Sequence, residues 1–185
     1  IVSRATALTG MDAGAIYEYD EPREEFYLHT TERLPIELVE ALRATRIRKG
    51  EGAMGRLAVT GEPVEIRDIM DAGIYQSRVR AILVKLGYRS LLAVPLLRED
   101  HLLGGLVVNR KSAGAFAPQV IELLKTFATQ SALAIQNARL FEAEQERVAE
   151  LQIINAIQQG LAAELDFQAI VDLVGDKLRE VFNTP

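Results

Sequence analysis

Residues 119–159 contain neither glycine nor proline, the two residue types that most often interrupt a helix. Read as one helix with a rise of ~1.5 Å per residue, this stretch is about 60 Å long. A helix of that length is longer than a domain of ordinary size is wide. The sequence therefore predicts a helix whose first part packs on a domain and whose second part needs another partner.

The two halves of this stretch carry different apolar patterns. In the first half, one stripe recurs at helical spacing: Val120, Leu124, Phe127, Ser131, Ile135 and Ala138. In the second half a heptad seam replaces it, with the predicted dimer positions Leu133, Asn137, Leu140, Glu144, Arg147, Leu151 and Ile154. Nearly half of the seam is polar. A solvated single helix is the alternative, but a weak parallel coiled coil is favoured because so long a helix needs a partner.

A further amphipathic segment follows Gly160, and Asp166 is the expected N-cap of a new helix there. This segment has nothing left in the chain to cover, and its sequence loosely echoes the opening residues. The chain also begins inside helix-like sequence. The expectation is therefore a piece of a longer protein, with residues 161–185 as the first helix of a truncated second domain.

Composition restricts the class of protein. The chain has 185 residues, of which 49% are apolar and 25% charged, as in a globular protein with a real core. Its net charge of −5 argues against nucleic acid as a partner, because phosphate binding needs a basic surface. No membrane span or signal peptide is evident, so membrane insertion is not expected and a cytoplasmic location is. The absence of cysteine removes disulfides, thiolate metal sites and a cysteine nucleophile.

The strongest strand signal is RSLLAVPLLREDHLLGGLVVNRK, in which two apolar runs, at 91–97 and 102–109, flank a charged turn. Such runs predict a hairpin at the centre of a sheet, and Pro95 indicates an edge or a bulge. A second hairpin is predicted at 13–19 and 25–30 from alternating apolar and polar residues. The remaining predicted elements are short helices at 1–8, after Pro35, at 53–60 and at 79–86, and a short strand at 64–66.

The stretch RIRKGEGAMGRLAVTGEPVEI contains Gly50, Gly52 and Gly55 in the spacing G-x-G-x-x-G. A dinucleotide-binding turn needs a buried strand before this spacing and a full crossover helix after it. Here the preceding residues are basic and polar, and the following helix soon ends at Gly61. The glycines are therefore interpreted as positions of positive φ at the start of a short helix, not as a phosphate cradle.

Three segments together resemble the GAF domain family. KGEGAMGRLAVTGEPVEIRDI is similar to its glycine-containing stretch, LGYRSLLAVPLLREDHLLGGLVVNR resembles its last pair of strands, and FAPQVIELLKTFATQSALAIQNARLFE resembles its closing helix. They occur in the family's order and spacing. LQIINAIQQGLAAELDFQAIVDLVGDKLREVF further resembles the linker and first helix of a following GAF domain in bacterial sensor kinases and cyclases.

The resemblance implies an α+β fold with a central antiparallel sheet of about six strands. Terminal helices lie on one face, a pocket-forming helix and loops lie on the other, and a long C-terminal signalling helix follows. Three parts are implied: a GAF sensor domain at 1–142, a coiled-coil linker helix at 143–160 and the truncated segment at 161–185. The implied function is sensory: a small molecule is bound and its presence is relayed through a homodimer helix to a histidine kinase or cyclase output domain.

By analogy with the family, the predicted pocket residues are Asp68, Ile69, Tyr75, Val79, Arg80, Leu83, Ser90, Leu91, Ala93, Val108 and Asn109. A few polar groups among apolar walls are typical of small-molecule sites. A purely structural role is the alternative for the polar members: Asp68 as a loop cap, Arg80 as a solvated side chain and Asn109 as a strand end.

The resemblance also bears on cofactors. Cyclic-nucleotide-binding members carry an N-K-x-F-x-x-x-D-E pattern, but Val120 and Ile121 stand here where the acidic pair would follow, which disfavours that ligand. Covalent bilin attachment needs a cysteine and is excluded. Haem is disfavoured and no metal site is predicted, because His29 and His101 are interpreted as surface residues without ligating neighbours. The ligand otherwise stays unknown.

No catalytic group is predicted. The acidic pairs at 24–25 and 99–100 are interpreted as turn charges, and no serine or threonine has a nucleophile-elbow context. The methionine sulfoxide reductases of this fold would need redox cysteines. Two hypotheses remain, a small-molecule sensor module and a ligandless dimerisation or spacer module whose pocket is filled by its own side chains. The mixed polarity of residues 68–86 favours the sensor.

Overall fold

The computed structural model describes residues 1–99 and 101–182, with the backbone alone described at 163–166, 180 and 181. Its elements in chain order are α1 (Val2–Thr9), β1 (Ala13–Asp20), β2 (Glu25–Glu32), α2 (Ile36–Ala44), β3 (Ile47–Arg48), α3 (Gly52–Thr60), β4 (Val64–Ile66), α4 (Arg80–Lys85), β5 (Ser90–Arg98), β6 (His101–Arg110) and α5 (Pro118–Phe182). The chain divides into two compact units, Ile1–Gln136 and Asn137–Pro185.

The first unit is built on a six-stranded sheet with the order β3-β2-β1-β6-β5-β4. All neighbouring strands pair antiparallel. The predicted elements are confirmed to within about two residues at their ends, as expected where periodicity is strong. The prediction did not include β3, a two-residue edge strand that carries too little apolar pattern to be recognised.

Pro95 lies on β5 beyond Ala93, the last residue that pairs with β4, and a register shift follows between Leu96 and Leu97. The prediction of an edge or a bulge at this proline is therefore confirmed. Proline has no N–H to donate, so it is tolerated where only one neighbouring strand needs to be bonded.

Each face of the sheet carries its own core, because successive side chains of a strand point to opposite faces. One core lies between the sheet, α1 and the beginning of α5, where Val2, Leu124 and Ala128 pack on Leu92 and Val108. The other core lies between the sheet and the segment from α2 to α4, where Leu38, Leu57 and Leu83 pack on the opposite side of the strands. The predicted α+β fold, with terminal helices on one face, is confirmed.

The second unit is described as helix from Asn137 to Phe182, entirely within α5. The expected new helix after Gly160 is not found, since α5 continues through this residue. A glycine inside a helix costs only about 1 kcal/mol relative to alanine, and the flanking glutamines, leucine and alanines are good helix formers. Asp166 lies inside this same helix, so the prediction that it is the N-cap of a new helix is wrong. Residues 183–185 of the predicted third part lie outside the described chain. The domain boundaries stay predictions.

Throughout the described residues, no helix combines the length and the apolar character that a membrane span requires.

Candidate functional site

A cavity of about 40 Å³ lies between the sheet and the segment from α2 to α4. Its apolar lining is Ala15, Leu34, Leu38, Leu42, Ile47, Ala53, Met54, Val79, Leu83, Leu91 and Val107. Its polar lining is Tyr17, Glu51, Tyr75, Ser77 and Asn109. A volume of about 10–15 Å³ holds one water molecule, so this cavity has room for a group of a few atoms. Apolar walls with a few polar groups are the usual composition of a small-ligand site.

Strand alternation brings the sheet residues of the cavity together. Asn109 pairs directly with Leu91, and Val107 pairs with Ala93. Partners across two strands point to the same face of a sheet. Tyr17 joins them from β1, two residues beyond Ala15 and therefore on the same face.

Tyr17 and Asn109 are the unusual groups in this cavity. Each side chain is only 5% exposed and lines the cavity. Neither side chain has a hydrogen-bond partner among the described residues. Among the described residues, the fully enclosed side-chain atom without a partner is Gln136 Oε1 on α5, so the polar groups of Tyr17 and Asn109 are not sealed off but can be reached from the cavity. These two side chains offer a donor and acceptor pair each to a third group in the cavity.

The tyrosine hydroxyls of the cavity stay protonated. Burial, and to a smaller extent the neighbouring Tyr75, raise the pKa of Tyr17 well above its usual range. Burial likewise raises the pKa of Tyr75, and a hydrogen bond with Ser77 partly offsets this. Both hydroxyls therefore act as neutral groups that donate and accept hydrogen bonds.

Glu51 and Arg78 close the cavity on one side. The Glu51 carboxylate accepts from Arg78 Nε at 3.0 Å, from Arg78 Nη2 at 2.8 Å and from the Arg78 backbone N–H at 3.2 Å. Arg78 Nη2 also donates to the carbonyl oxygen of Arg46. The hydrogen bond from Arg78 is the main cause that lowers the pKa of Glu51. Glu51 and Ser77 line both the cavity and an open groove outside it, so this ion pair lies between the cavity and solvent.

The glycine-rich stretch shapes this closure. Gly50 and Gly52 have φ of 85° and 59°, as predicted, which glycine adopts without strain. The prediction of positive φ is wrong for Gly55, which lies inside α3 and is needed for close approach instead, since a Cβ there would overlap the carbonyl oxygen of Arg48. The amides of Gly50, Gly52 and Gly55 donate to the carbonyl oxygens of Gly55, Gln76 and Glu51. These amides are therefore engaged within the protein, which argues against a phosphate cradle.

Of the predicted pocket residues, the structure places five in the cavity lining: Tyr75, Val79, Leu83, Leu91 and Asn109. Ile69 and Ala93 belong to the same core but lie outside the lining. The ligand-binding role of all these residues stays a prediction.

Val108 and Ser90 are corrections to the predicted pocket. Val108 packs in the core beneath α1 and α5, on the opposite face of the sheet from Asn109. Adjacent residues of a strand cannot both face the same pocket. Ser90 precedes Leu91 and likewise points away from the cavity, where its hydroxyl donates to the Ser112 carbonyl at 2.8 Å and accepts from Arg110 Nε at 3.1 Å.

Asp68 and Arg80 also lie outside the lining, because both fasten the loop before α4. Asp68 accepts from Arg89 Nε at 3.1 Å and Arg89 Nη2 at 2.7 Å, and this hydrogen bonding lowers its pKa. Arg80 donates to the carbonyl oxygens of Ile69 and Met70 at 2.8 and 2.6 Å. The structural alternative holds for Asp68, which also caps the loop by accepting from the Met70 N–H at 2.9 Å. It is wrong for Arg80, which is bonded to the loop and not simply solvated.

Sequence reasoning missed Tyr17, Glu51 and Ser77. The alternation of Ala13, Ala15 and Tyr17 on β1 could have placed Tyr17 on the pocket face. Nothing local marks Glu51, because its partner Arg78 is distant in sequence.

The histidines do not form a metal site in the described chain. His29 Nδ1 lies 2.7 Å from Glu18 Oε1 on β1, and His101 is exposed at the start of β6. Within residues 1–99 and 101–182, no group of three or more His, Cys, Asp or Glu side chains is placed to hold a metal ion.

The sequence profile of the GAF domain matches residues 1–135. The chain therefore belongs to the GAF domain family, a fold of regulatory and sensory modules in signalling proteins that are typically non-catalytic. The search of curated proteins finds no matching sequence.

Solved structures share this fold. The chain is similar to the GAF domain of a phosphoenolpyruvate-protein phosphotransferase from Coxiella burnetii, with 27% identity, a TM-score of 0.64 and coverage of 77% of this chain and 82% of that chain. It is similar in fold to a domain of a two-component sensor histidine kinase protein from Sinorhizobium meliloti 1021, with 21% identity, a TM-score of 0.63 and coverage of 78% and 92%. It also resembles the GAF-B domain of DevS from Mycobacterium smegmatis, with 23% identity, a TM-score of 0.57 and coverage of 77% and 93%.

Proposed function

We propose that this GAF domain is the non-catalytic sensory module of a bacterial signal-transduction protein. It binds a small molecule in the cavity between the sheet and α2–α4. The bound state is relayed through α5, paired with α5 of a second copy, to an output domain. The observation that carries the proposal is the pair of buried side chains, Tyr17 and Asn109, that line the cavity without a partner among the described residues.

Paired α5 helices are supported by the apolar side chains of the heptad seam. Leu133, Leu140, Leu151 and Ile154 are all exposed in the single chain. A helix that exposes a row of large apolar side chains gains most of its stability from packing against another surface. Asn137, Glu144 and Arg147 interrupt the row, and such polar positions weaken a coiled coil and leave its register adjustable.

A weak seam suits a relay. A ligand shifts an equilibrium between two helix packings only by its difference in affinity for the two states. Two packings that differ by about 1–3 kcal/mol are within the range of one small ligand. A seam of leucine and isoleucine alone would stabilise one helix packing so strongly that a small ligand could not shift the equilibrium to the other.

The output domain is proposed to be a histidine kinase or a cyclase, in a cytoplasmic protein. The fold similarity to a domain of a sensor histidine kinase protein supports the kinase context.

The second candidate is a ligandless dimerisation and spacer module. The small cavity, about 40 Å³, favours it, because drug-sized ligands occupy sites of ~300 Å³ or more. The two candidates share the dimer and differ in whether the cavity is a binding site.

Native mass spectrometry after incubation with a small-molecule extract of bacterial cells separates these candidates. The sensor predicts a dimer with added mass that denaturation removes. Asn109→Ala is the matched variant, since it removes the carboxamide and cannot block the cavity; it should bind less. A dimer of unmodified mass in both proteins contradicts the sensor and supports the spacer, and a monomer contradicts both.

The relay is tested by disulfide cross-linking, because the chain has no cysteine of its own. Arg147→Cys and Glu150→Cys each place one thiol on the second unit of the chain. The relay predicts that the extract changes the ratio of the two cross-linking rates. Equal rates with and without the extract, under conditions where mass spectrometry detects the bound molecule, would rule the relay out.

A further inference from the structure

We infer that the ligand of this cavity is a small uncharged molecule that both donates and accepts hydrogen bonds, of the primary-amide type, and not an anion. The inference rests on the proposed function and narrows the class of molecule that it allows. It is carried by three properties of the cavity: its charge, its polar groups and its size.

The charge of the lining disfavours anions. Among the described lining residues there is one carboxylate, Glu51, and no Lys, Arg or His. The nearby cation, Arg78, is already bonded to both oxygens of Glu51. A buried anion needs a cation or several donors to offset its loss of hydration. This cavity has no free cation in its described lining, and its Glu51 carboxylate would repel an anion.

A cation is disfavoured for a related reason. The Glu51 carboxylate also accepts from the backbone N–H of Arg48 at 3.3 Å and of Arg78 at 3.2 Å. Its negative charge is therefore already compensated by Arg78 and by two amides. An entering cation would have to displace Arg78 from this pair, whereas a neutral ligand leaves it in place.

The polar groups match a primary amide. Asn109 carries a carboxamide, which offers an acceptor oxygen and two N–H donors, and Tyr17 carries a neutral hydroxyl. The carboxamide of a ligand would form two antiparallel N–H···O hydrogen bonds with the carboxamide of Asn109. The second N–H or the second oxygen lone pair of the ligand would then be available to the Tyr17 hydroxyl. Ala15, Leu38 and Leu83 provide apolar contacts for a short alkyl group.

The size limits both the ligand and its affinity. A cavity of about 40 Å³ accommodates a molecule of only a few non-hydrogen atoms without movement of the walls. The ceiling on binding energy per ligand atom sets the dissociation constant of a four-atom ligand at about 10–100 µM at best. Millimolar probe concentrations are therefore appropriate.

Acetamide and acetate are matched probes, because they share shape and size and differ in charge. The methionine methyl groups are matched reporters: Met54 lines the cavity, Met11 is buried in the core on the other face of the sheet, and Met70 is half exposed. With ¹³C-methyl methionine, these three residues are the complete set of labelled positions. We expect acetamide to shift the Met54 resonance saturably, while Met11 and Met70 stay in place and acetate has at least about a tenfold weaker effect, equivalent to about 1.4 kcal/mol.

Asn109→Ala, which removes the carboxamide without blocking the cavity, should abolish the acetamide shift at Met54, and an unchanged Met11 resonance shows that the variant is folded. A Met54 shift with acetate as strong as with acetamide overturns the neutral class and leaves the sensory proposal intact. No Met54 shift with either probe also overturns the inference. The sensory proposal itself fails only if the cell extract, too, adds no mass to the protein.

Discussion

The two faces of the sheet treat their buried polar groups differently. On the face beneath α1 and α5, the hydroxyls of Thr6, Ser90 and Ser131 are buried and each donates to a backbone carbonyl. On the face beneath α2–α4, Asn109 is also buried, lines the cavity, and has no side-chain hydrogen bond among the described residues. The first face has one exception, Gln136 Oε1 on α5, which is buried without a partner among the described residues. The second face carries two polar side chains, Tyr17 and Asn109, that line a cavity and could bond to a ligand there.

This difference separates a structural face from a binding face. A core whose buried polar groups are hydrogen-bonded within the protein has the same stability with and without a ligand. A polar group that lines a cavity without a protein partner gains a hydrogen bond when a ligand enters, and that gain makes the face responsive to a ligand. The substitutions below test this difference between the faces, from the largest expected change in the free energy of unfolding to the smallest.

The largest effect is expected from shortening a leucine on each face. Leu124→Ala, on the fully buried side of α5, should lower the free energy of unfolding by about 3–5 kcal/mol, through lost contacts and the space left behind. Leu83→Ala, in the cavity wall, should cost about 2–3 kcal/mol, because this side chain already has fewer neighbours on its cavity side. Urea unfolding measures both. Equal costs, or a higher cost for Leu83→Ala, would contradict the proposed difference in packing.

An intermediate effect is expected from deleting a polar group on each face. Ser90→Ala should lower the free energy of unfolding by about 1–3 kcal/mol, because it leaves Arg110 Nε and the Ser112 carbonyl without their bonds. Tyr17→Phe should leave it unchanged or raise it in ligand-free protein, because the lost hydroxyl has no partner in the described chain. Thermal unfolding of both variants checks this pair. A large loss in Tyr17→Phe would mean that the hydroxyl is satisfied within the protein.

The smallest effect concerns the Glu51–Arg78 ion pair. Hydrogen bonding from Arg78 lowers the pKa of Glu51 in the folded state below that in the unfolded state. Its contribution is therefore present above about pH 4.5 and is lost as pH falls through the folded-state pKa. Since Arg78 is half exposed, the contribution should be about 0.5–1 kcal/mol.

Glu51→Gln is the matched variant for the ion pair. Its free energy of unfolding should fall less steeply between about pH 6 and pH 3 than that of the wild type, because one linked carboxylate is missing. Parallel pH profiles for the two proteins would show that the pair does not stabilise the closure of the cavity.

The sequence predicted the elements that have a periodic pattern of apolar residues. The two hairpins, the helix after Pro35 and the strand at Val64–Ile66 follow from periodicity and from turn residues. Family resemblance supplied the positions of Tyr75, Val79, Leu83 and Leu91 in the cavity wall.

Features that depend on distant contacts could not be predicted in the same way. The pairing of Glu51 with Arg78 and of Asp68 with Arg89 depends on how loops meet after folding. Val108 was an avoidable error, because strand alternation alone puts it opposite Asn109. At Gly160 the sequence predicted a break that is absent. The low helix propensity of one glycine did not outweigh the helix-forming residues on both sides of it.

The central claim, that the face beneath α2–α4 is the binding face, is tested most directly with ¹³C-methyl methionine protein and a small-molecule extract of bacterial cells. Met54 reports on this face and Met11 on the other. The Met54 resonance is expected to move with increasing extract while the Met11 resonance stays in place. A Met54 resonance that does not move, or a movement of Met11 alone, would contradict it.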